Sequence, residues 1–523
     1  MSPILSESTP TGRTEEGGPG YARGLQSELF LLSVQNMVGQ DTFYETAKDR
    51  DSRFATLTRN VAALNPQWTM AWIKWLRTEG FLRTAPMVAA AHALDGLKRY
   101  EGHEEFSGRL FLDAALQRPD EPGEALAYWR STHPGKDTLP ISWRRGAASA
   151  ATRMYTQRAF LKYDTGEREF DFARVIALCR PRPRDAEQSA LFSYILDRHY
   201  KHKDAVIPAE LKMITANRKM QQWDLDKRRR LFTKDPVKAA NKIASAGMTW
   251  ETVSGWLQGE MTGPVWDALI PSMGFQALRM NLRNFDQAGI SPASVKHVVA
   301  RLSDPAEIVA ARQWPMQLLS SARAVGSGGR WQGALERALQ NSLDNITTLE
   351  GRTLILVDTS ASMDATFSKD GTLARWDAAV LFGLALAHRC DQPTVVSFSN
   401  ASTKFPFRKE ESLLSGIARW KSAGYFLAGG TETTQAVARN FDKHDRVVIL
   451  TDEQASDYWG KDPGSALPDS TPLYTYNLAG YRRGHAPSGA ANRHVMSGLT
   501  DSAFRQIELL ERGQNANWPF YSA

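Results

Sequence analysis

The 523-residue sequence predicts two architectures in series: a long α-helical stack, then a doubly wound, mostly parallel α/β unit. Two observations carry that expectation. From about Gly24 to Asn341, apolar residues recur at three- and four-residue spacing, the period of helices that bury one face. Beyond residue 345 the pattern changes to short apolar runs that alternate with helical stretches, the arrangement of βαβ units.

Residues Met1 to Gly20 are rich in Ser, Thr, Pro, Gly and Glu, with neither a basic nor an apolar leader region, and are expected to form a disordered tail over 1–20. Phe43 to Leu64, Trp68 to Thr78, Ala85 to Tyr100 and Pro236 to Leu257 then read as amphipathic helices. Asn65-Pro66, Pro119 to Pro122 and Ser303-Asp304-Pro305 punctuate them. Many helices with short connections favour a curved solenoid over a compact bundle, although no repeat of fixed period is present. After Gly326-Ser327-Gly328-Gly329 and a helix ending near Asp344, strands are expected at 353–357, 394–398, 446–450 and 473–478. Helices near 372–389, 409–420, 431–441 and 501–512 separate them. The expected domains are thus 21–345 and 346–523.

A hydrophobic content of 42% can fill cores for more than one domain at this length. Only Cys179 and Cys390 are present, which argues against a disulfide framework and for a reducing, cytoplasmic setting. No apolar run approaches the roughly 18 residues needed to span a bilayer, so no membrane partner is expected. The net charge of +7 is uneven: residues 141–250 hold 23 Lys and Arg against 12 Asp and Glu, a surplus of 11, and the remainder carries −4. Such a local surplus is the footprint of a polyanion binder. The fifteen Trp residues read as core anchors. His199 and His202 could share a helix face, but Arg198, Lys201 and Lys203 around them favour a solvated basic segment over a zinc site.

The densest chemical signal is Asp358-Thr359-Ser360-Ala361-Ser362, directly after Leu354-Ile355-Leu356-Val357. One carboxylate and two hydroxyls spaced two apart can turn three oxygens toward a hard cation. Gly429-Gly430-Thr431 offers another hydroxyl, and Val447-Val448-Ile449-Leu450-Thr451-Asp452 ends a second apolar run on a carboxylate. In an open parallel sheet these strand ends gather at one edge. Short polar runs also make ordinary turns and caps, yet all five positions sit where a shared edge requires. The pattern resembles the metal-ion-dependent adhesion site of von Willebrand factor A domains. That resemblance implies Asp358, Ser360 and Ser362 as its DxSxS element, Thr431 and Asp452 as its completion, Mg²⁺ as the cation, and an acidic ligand as what the cation holds. A phosphatase using Asp358 as nucleophile would need a second acid where Ser360 stands, and no nucleophile elbow, Walker loop or HExxH helix occurs, so no turnover is expected.

The helical part carries a second resemblance. Met273 to Asn284, Arg312-Gln313-Trp314-Pro315-Met316-Gln317-Leu318-Leu319, Arg83-Thr84-Ala85-Pro86-Met87 and Trp143-Arg144-Arg145-Gly146 are similar, in order, to landmarks of TROVE-domain proteins. A TROVE region followed by a von Willebrand A domain is the layout of the Ro family. Two positions depart from the family pattern: Trp314 replaces a common His, and Leu178 a position often basic or His. Single-residue RNA contacts are not carried over there. The resemblance implies a ring-like, HEAT-like helical repeat with a central hole closed by the A domain. It also implies a monomer that binds Y-like RNA and the single-stranded ends of misfolded non-coding RNA for quality control, with an exoribonuclease tethered through that RNA.

Suitable cations are Arg144, Arg145, Arg153, Arg158 and Lys162, with Tyr155 and Tyr163 among them for base stacking, and Arg180, Arg182 and Arg184 between Pro181 and Pro183. The plainer alternative is a solvated face whose cations pair with nearby acids, and Lys227 to Arg230 reads that way, as a solvated helix end. At the level of the whole protein, the competing reading is a metal-dependent protein-interaction scaffold without RNA affinity.

Overall fold

The computed structural model describes residues 4–35, 41–42, 44–99, 108–136, 138–164, 168–200, 205–311, 313, 315–326, 329–342, 348–366, 373–456, 461–488, 492–497, 501–513 and 518–521. Arg312 and Trp314 of the second helical landmark, and Lys201, His202 and Lys203, lie outside the described residues. The chain divides into two compact units, one formed by Pro86–Ala311 and the other by Met1–Ala85 together with Arg312–Ala523. Secondary structure changes character near residue 345, between the helix Gln332–Asn341 and the strand Leu349–Asp358. The division into units lies elsewhere, because both ends of the chain join the α/β part.

The strands are β1 (Gly12–Arg13), β2 (Pro19–Ala22), β3 (Leu349–Asp358), β4 (Cys390–Phe398), β5 (Ser402–Phe405), β6 (Arg446–Thr451), β7 (Leu473–Asn477), β8 (Arg483–Gly484) and β9 (Arg493–Ser497). Six of them form one sheet in the order β5-β4-β3-β6-β7-β9. All its pairings are parallel except the antiparallel hairpin of β4 with β5. The chain leaves β3 for β4 on one side and later returns as β6 on the other. The β3–β6 seam is therefore a topological switch point, where a crevice opens beyond the strand ends.

Both faces of this sheet are covered, which is why its strands are apolar without alternation. On one face Leu354, Leu356, Val396, Phe398, Val447 and Ile449 pack with Ala436 and Val437 of the helix Thr433–Asn440. On the other lies the helix Arg375–His388, buried along almost its whole length. A Cβ on its Gly383 would stand 2.9 Å from Val357 Cγ2, so glycine sets how closely the helix meets the sheet. Phe504 of the helix Asp501–Glu511 stacks on Phe382 at 5.0 Å.

The segment expected as a disordered tail is instead paired. β1 pairs β2, β2 pairs β8, and Ile4 bridges Val495. Its polar, Gly-rich composition reflects a tight hairpin on a sheet edge rather than disorder. The helices Leu25–Gln35, Ala47–Leu64 and Pro66–Thr78 follow it within the same unit. Arg50 and Arg53 donate to the carbonyls of Ala479 and Gly480 beyond β7. Trp68 stacks on Trp72 at 5.6 Å and meets Trp518 edge-on at 5.1 Å, so the chain's late residues seal its early helices.

Pro86–Ala311 is helical throughout its described residues and packs mainly helix against near neighbour, as in a repeat stack. Gly108–Ala115 lies on Ile141–Met154, which lies on Phe172–Cys179, which lies on Ala186–Tyr200. The single helix expected over Pro236–Leu257 is two, Pro236–Ser245 and Trp250–Leu257. Gly247 turns the chain at φ 61° and Thr249 caps the second helix. The landmark Met273–Asn284 is largely interior: Phe275, Leu278, Arg279 and Leu282 are buried, and Arg301 donates to the Met273 carbonyl at 2.6 Å. Its sequence pattern is thus a packing signature. Among the described residues no helix is long and apolar enough to cross a membrane, and both cysteines are free and buried.

Candidate functional site

Asp358 is the last residue of β3 and Asp452 follows β6, and in register Val357 faces Leu450. The two carboxylates therefore emerge side by side at the switch point. Both are fully buried. Asp358 Oδ1 accepts from the Ser360 amide at 2.8 Å and Oδ2 from Thr451 Oγ1 at 2.5 Å. Asp452 Oδ1 accepts from the Gln454 amide at 3.1 Å, whereas its buried Oδ2 has no hydrogen-bond partner among the described residues. Burial raises the pKa of both acids. For Asp358 the neighbouring Asp452 adds to the rise, while for Asp452 the buried Arg375 guanidinium and Ser362 oppose it.

The hydroxyl donors converge on the same edge. Ser360, Ser362 and Thr431 are all buried, and the Ser360 and Ser362 hydroxyls stand 3.3 Å apart. The Thr431 loop is tied from both sides: the Ala361 amide donates to Gly429 O, Ala428 N to Thr359 O, and Ser456 N to Thr431 O. Ala428 and Glu453 hold left-handed backbones at φ 56° and 60°, unfavourable for residues with a Cβ and typical of loops that surrounding contacts fix for function. All five residues of the motif thus lie at one sheet edge.

These residues fit a divalent cation. Two buried carboxylates with raised pKa values and one orphaned oxygen need a positive partner, and the cluster is acidic despite Arg375. Among the described residues no three carboxylate, imidazole or thiol groups gather as a metal cage. A cation here would depend on hydroxyls and retained water, the habit of Mg²⁺ rather than of zinc. When bound, it would supply a centre able to take one oxygen of an incoming acid.

Several neighbours escape the motif. Thr451 is hidden inside an apolar run, and Arg375 at a helix start donates to the Tyr481 hydroxyl at 2.9 Å. Glu453 is fully buried and accepts from Arg23 Nη2 and Asn477 Nδ2. No local pattern marks these residues, whose partners lie from tens to more than four hundred positions away.

The expected basic residues lie on the helical unit and are exposed: Arg144, Arg145, Arg153, Arg158, Lys162, Arg180, Arg182 and Arg184. Arg144 and Arg145 leave the helix Ile141–Met154 beside the buried Trp143. Arg180 ends the helix Phe172–Cys179 in a left-handed turn, which directs the Arg-Pro-Arg-Pro-Arg loop away from it. The structure separates others from this set. Arg153 is a cross-helix clamp, donating to Asp113 Oδ1 at 2.9 Å, Leu116 O at 2.8 Å and Gln117 Oε1 at 3.0 Å. Arg184 pairs with Asp185. Tyr155 is buried, stacked on Phe172 at 3.9 Å, and is closed to bases, whereas Tyr163 is partly open between Arg118 and Lys162. In the run Lys227 to Arg230, Arg228 folds over Trp256 and donates to the Trp256 carbonyl. His199 pairs with Asp171 at 3.0 Å.

Comparison with known proteins agrees with this architecture. Residues 201–351 match the TROVE domain. Over 303 residues, 54% of this chain, the sequence is 24% identical to RNA-binding protein RO60 of Deinococcus radiodurans. The match spans about half of that relative, 53% of its length. The crystal structure of the Deinococcus radiodurans RO (RSR) protein superimposes with a TM-score of 0.60 at 17% identity, covering 90% of this chain and 96% of that one. The fold is a helical-repeat domain joined to a von Willebrand A-like α/β domain, and the segment 201–351 resembles the TROVE domain. The likeness is thus of two kinds: a TROVE match over 201–351 and a fold shared with the Deinococcus radiodurans RO (RSR) protein. The basic stretch 144–184 precedes the segment that matches the domain.

Proposed function

We propose that this protein is a non-catalytic RNA-binding member of the Ro family. In this reading its helical unit takes Y-like RNA and the single-stranded ends of misfolded non-coding RNA for quality control or decay, in the cytoplasm. The observation that carries it is the exposed run of arginines on 141–184, in which Arg144 and Arg145 make no ion pair among the described residues while Arg153 and Arg184 do. Guanidinium groups left uncommitted at a surface are suited to phosphate. The name of the Deinococcus relative supports the same reading. The α/β unit would hold Mg²⁺ through Asp358, Ser360, Ser362, Thr431 and Asp452 and present it to an acidic ligand. A separate partner in this reading is an exoribonuclease tethered through the bound RNA.

The test is binding of a hairpin RNA with a single-stranded 3′ extension across a salt series. Affinity should fall steeply with salt, and Arg144→Ala with Arg145→Ala should reduce the log–log slope by about 1.4, two phosphate contacts at roughly 0.7 each. Absence of salt-sensitive RNA binding at low ionic strength would favour the protein-scaffold reading.

A further inference from the structure

We propose that the N-terminal hairpin closes the metal site from within: Glu16, steadied by Tyr44, stands as an internal acidic ligand where an outside carboxylate would otherwise bind. This rests on the reading of Asp358, Ser360, Ser362, Thr431 and Asp452 as a cation site.

The hairpin is fastened to the chain that immediately follows Asp452. Thr14 Oγ1 donates to the Ala455 carbonyl at 2.8 Å, and the Glu15 amide donates to Gln454 Oε1 at 2.9 Å. The Gln454 amide in turn donates to Asp452 Oδ1. Behind this turn, Tyr21 and Ala22 of β2 pair with Gly484 and Arg483 of β8. Next to them the Arg23–Glu453 pair is wholly buried. A Cβ on Gly484 would fall 2.1 Å from Arg23 Nη2 and 2.4 Å from Glu453 Oε2, so the chain approaches this pair as only glycine allows.

The hairpin also delivers chemistry. The Tyr44 hydroxyl donates to Glu16 Oε1 and lies in hydrogen-bonding reach of Ser362, a member of the DxSxS element. Asp452 feels the charge of Glu16, and Tyr44 that of Asp452. Asp452 Oδ2, buried and without a hydrogen-bond partner among the described residues, is the orphaned atom of the same site. A third carboxylate held toward two buried ones is repelled by them, and a cation at the site turns that repulsion into attraction. Glu16 and Tyr44 are only half-buried, so an external acid could displace this arm.

Mn²⁺ is the probe, added to the EDTA-stripped full chain, with water-proton relaxation per bound ion as the readout. In Glu16→Gln one more water should join the several that such an ion keeps, raising relaxation about 1.5-fold over wild type. Acetate should lower it again in the variant and leave wild type unchanged. Tyr44→Phe, a smaller change, should shift relaxation in the same direction. Equal relaxation in wild type and both variants, with Mn²⁺ bound, would overturn the internal ligand alone. If Mn²⁺ binds neither wild type nor variants, the cation site and this proposal fall together.

Discussion

Asp358 is fully buried and Arg144 is exposed. The first is sealed at a strand end among oxygens that leave it little freedom; the second projects from a helix with no ion-pair partner among the described residues. A buried site obtains specificity from geometry that packing fixes in advance, whereas an exposed cationic face obtains affinity from charge density and tolerates loose placement. The first should respond sharply to single substitutions and the second should average over them.

The largest contrast lies in stability. Glu453→Ala leaves the buried Arg23 guanidinium without its carboxylate and should cost about 3–5 kcal/mol in urea unfolding, while Arg144→Ala with Arg145→Ala should shift stability by less than about 0.5 kcal/mol. A costly arginine pair would break the comparison. Next in size is metal linkage: Mg²⁺ at about 100 times its dissociation constant should stabilise the fold by roughly 2.7 kcal/mol. Asp358→Asn should abolish that gain, stabilise the metal-free protein by removing one of two repelling carboxylates, and leave RNA affinity unchanged. Loss of RNA binding in a folded Asp358→Asn protein would merge the two sites that this reading separates.

A smaller effect concerns pH. Burial pushes His494 down to about 4, and its Nδ1 has no hydrogen-bond partner among the described residues. Above the ordinary histidine value near 6.5, both native and unfolded forms are neutral and the native contribution is complete. As pH falls below that value the unfolded chain takes a proton that the native one refuses, so stability declines until His494 itself titrates near 4. His494→Gln should flatten part of the decline between pH 7 and 5 in thermal melts. An unchanged profile would show that this ring contributes nothing to the acid sensitivity of the α/β unit.

The sequence revealed what is local. The strands carrying Asp358 and Asp452 are continuous apolar runs, and the DxSxS element is five adjacent residues, so both were visible without coordinates. β5 and β9 were missed because Ser-Thr-Lys-Phe and Arg-His-Val-Met-Ser lack such a run and earn their strand state from the neighbour they extend. Glu16, Arg23 and Tyr44 were invisible as site neighbours because more than three hundred residues separate them from it. In the helical unit the charge surplus was plain, yet spacing alone could not tell Arg145, exposed, from Arg153, spent on holding two helices together. Nor could it tell that Tyr155 faces inward and Tyr163 outward.

The α/β unit is closed by both ends of the chain, and that bears on how it can be made. Arg23 meets a carboxylate 430 positions ahead of it, and Trp68 waits for Trp518. During synthesis the first three helices leave the ribosome long before the surface that will cover their aromatic side chains exists. The intervening helices, whose contacts are mostly short-range, can settle while translation continues. The tryptophans near residue 68 therefore lack their covering partner until the chain near residue 518 has been made.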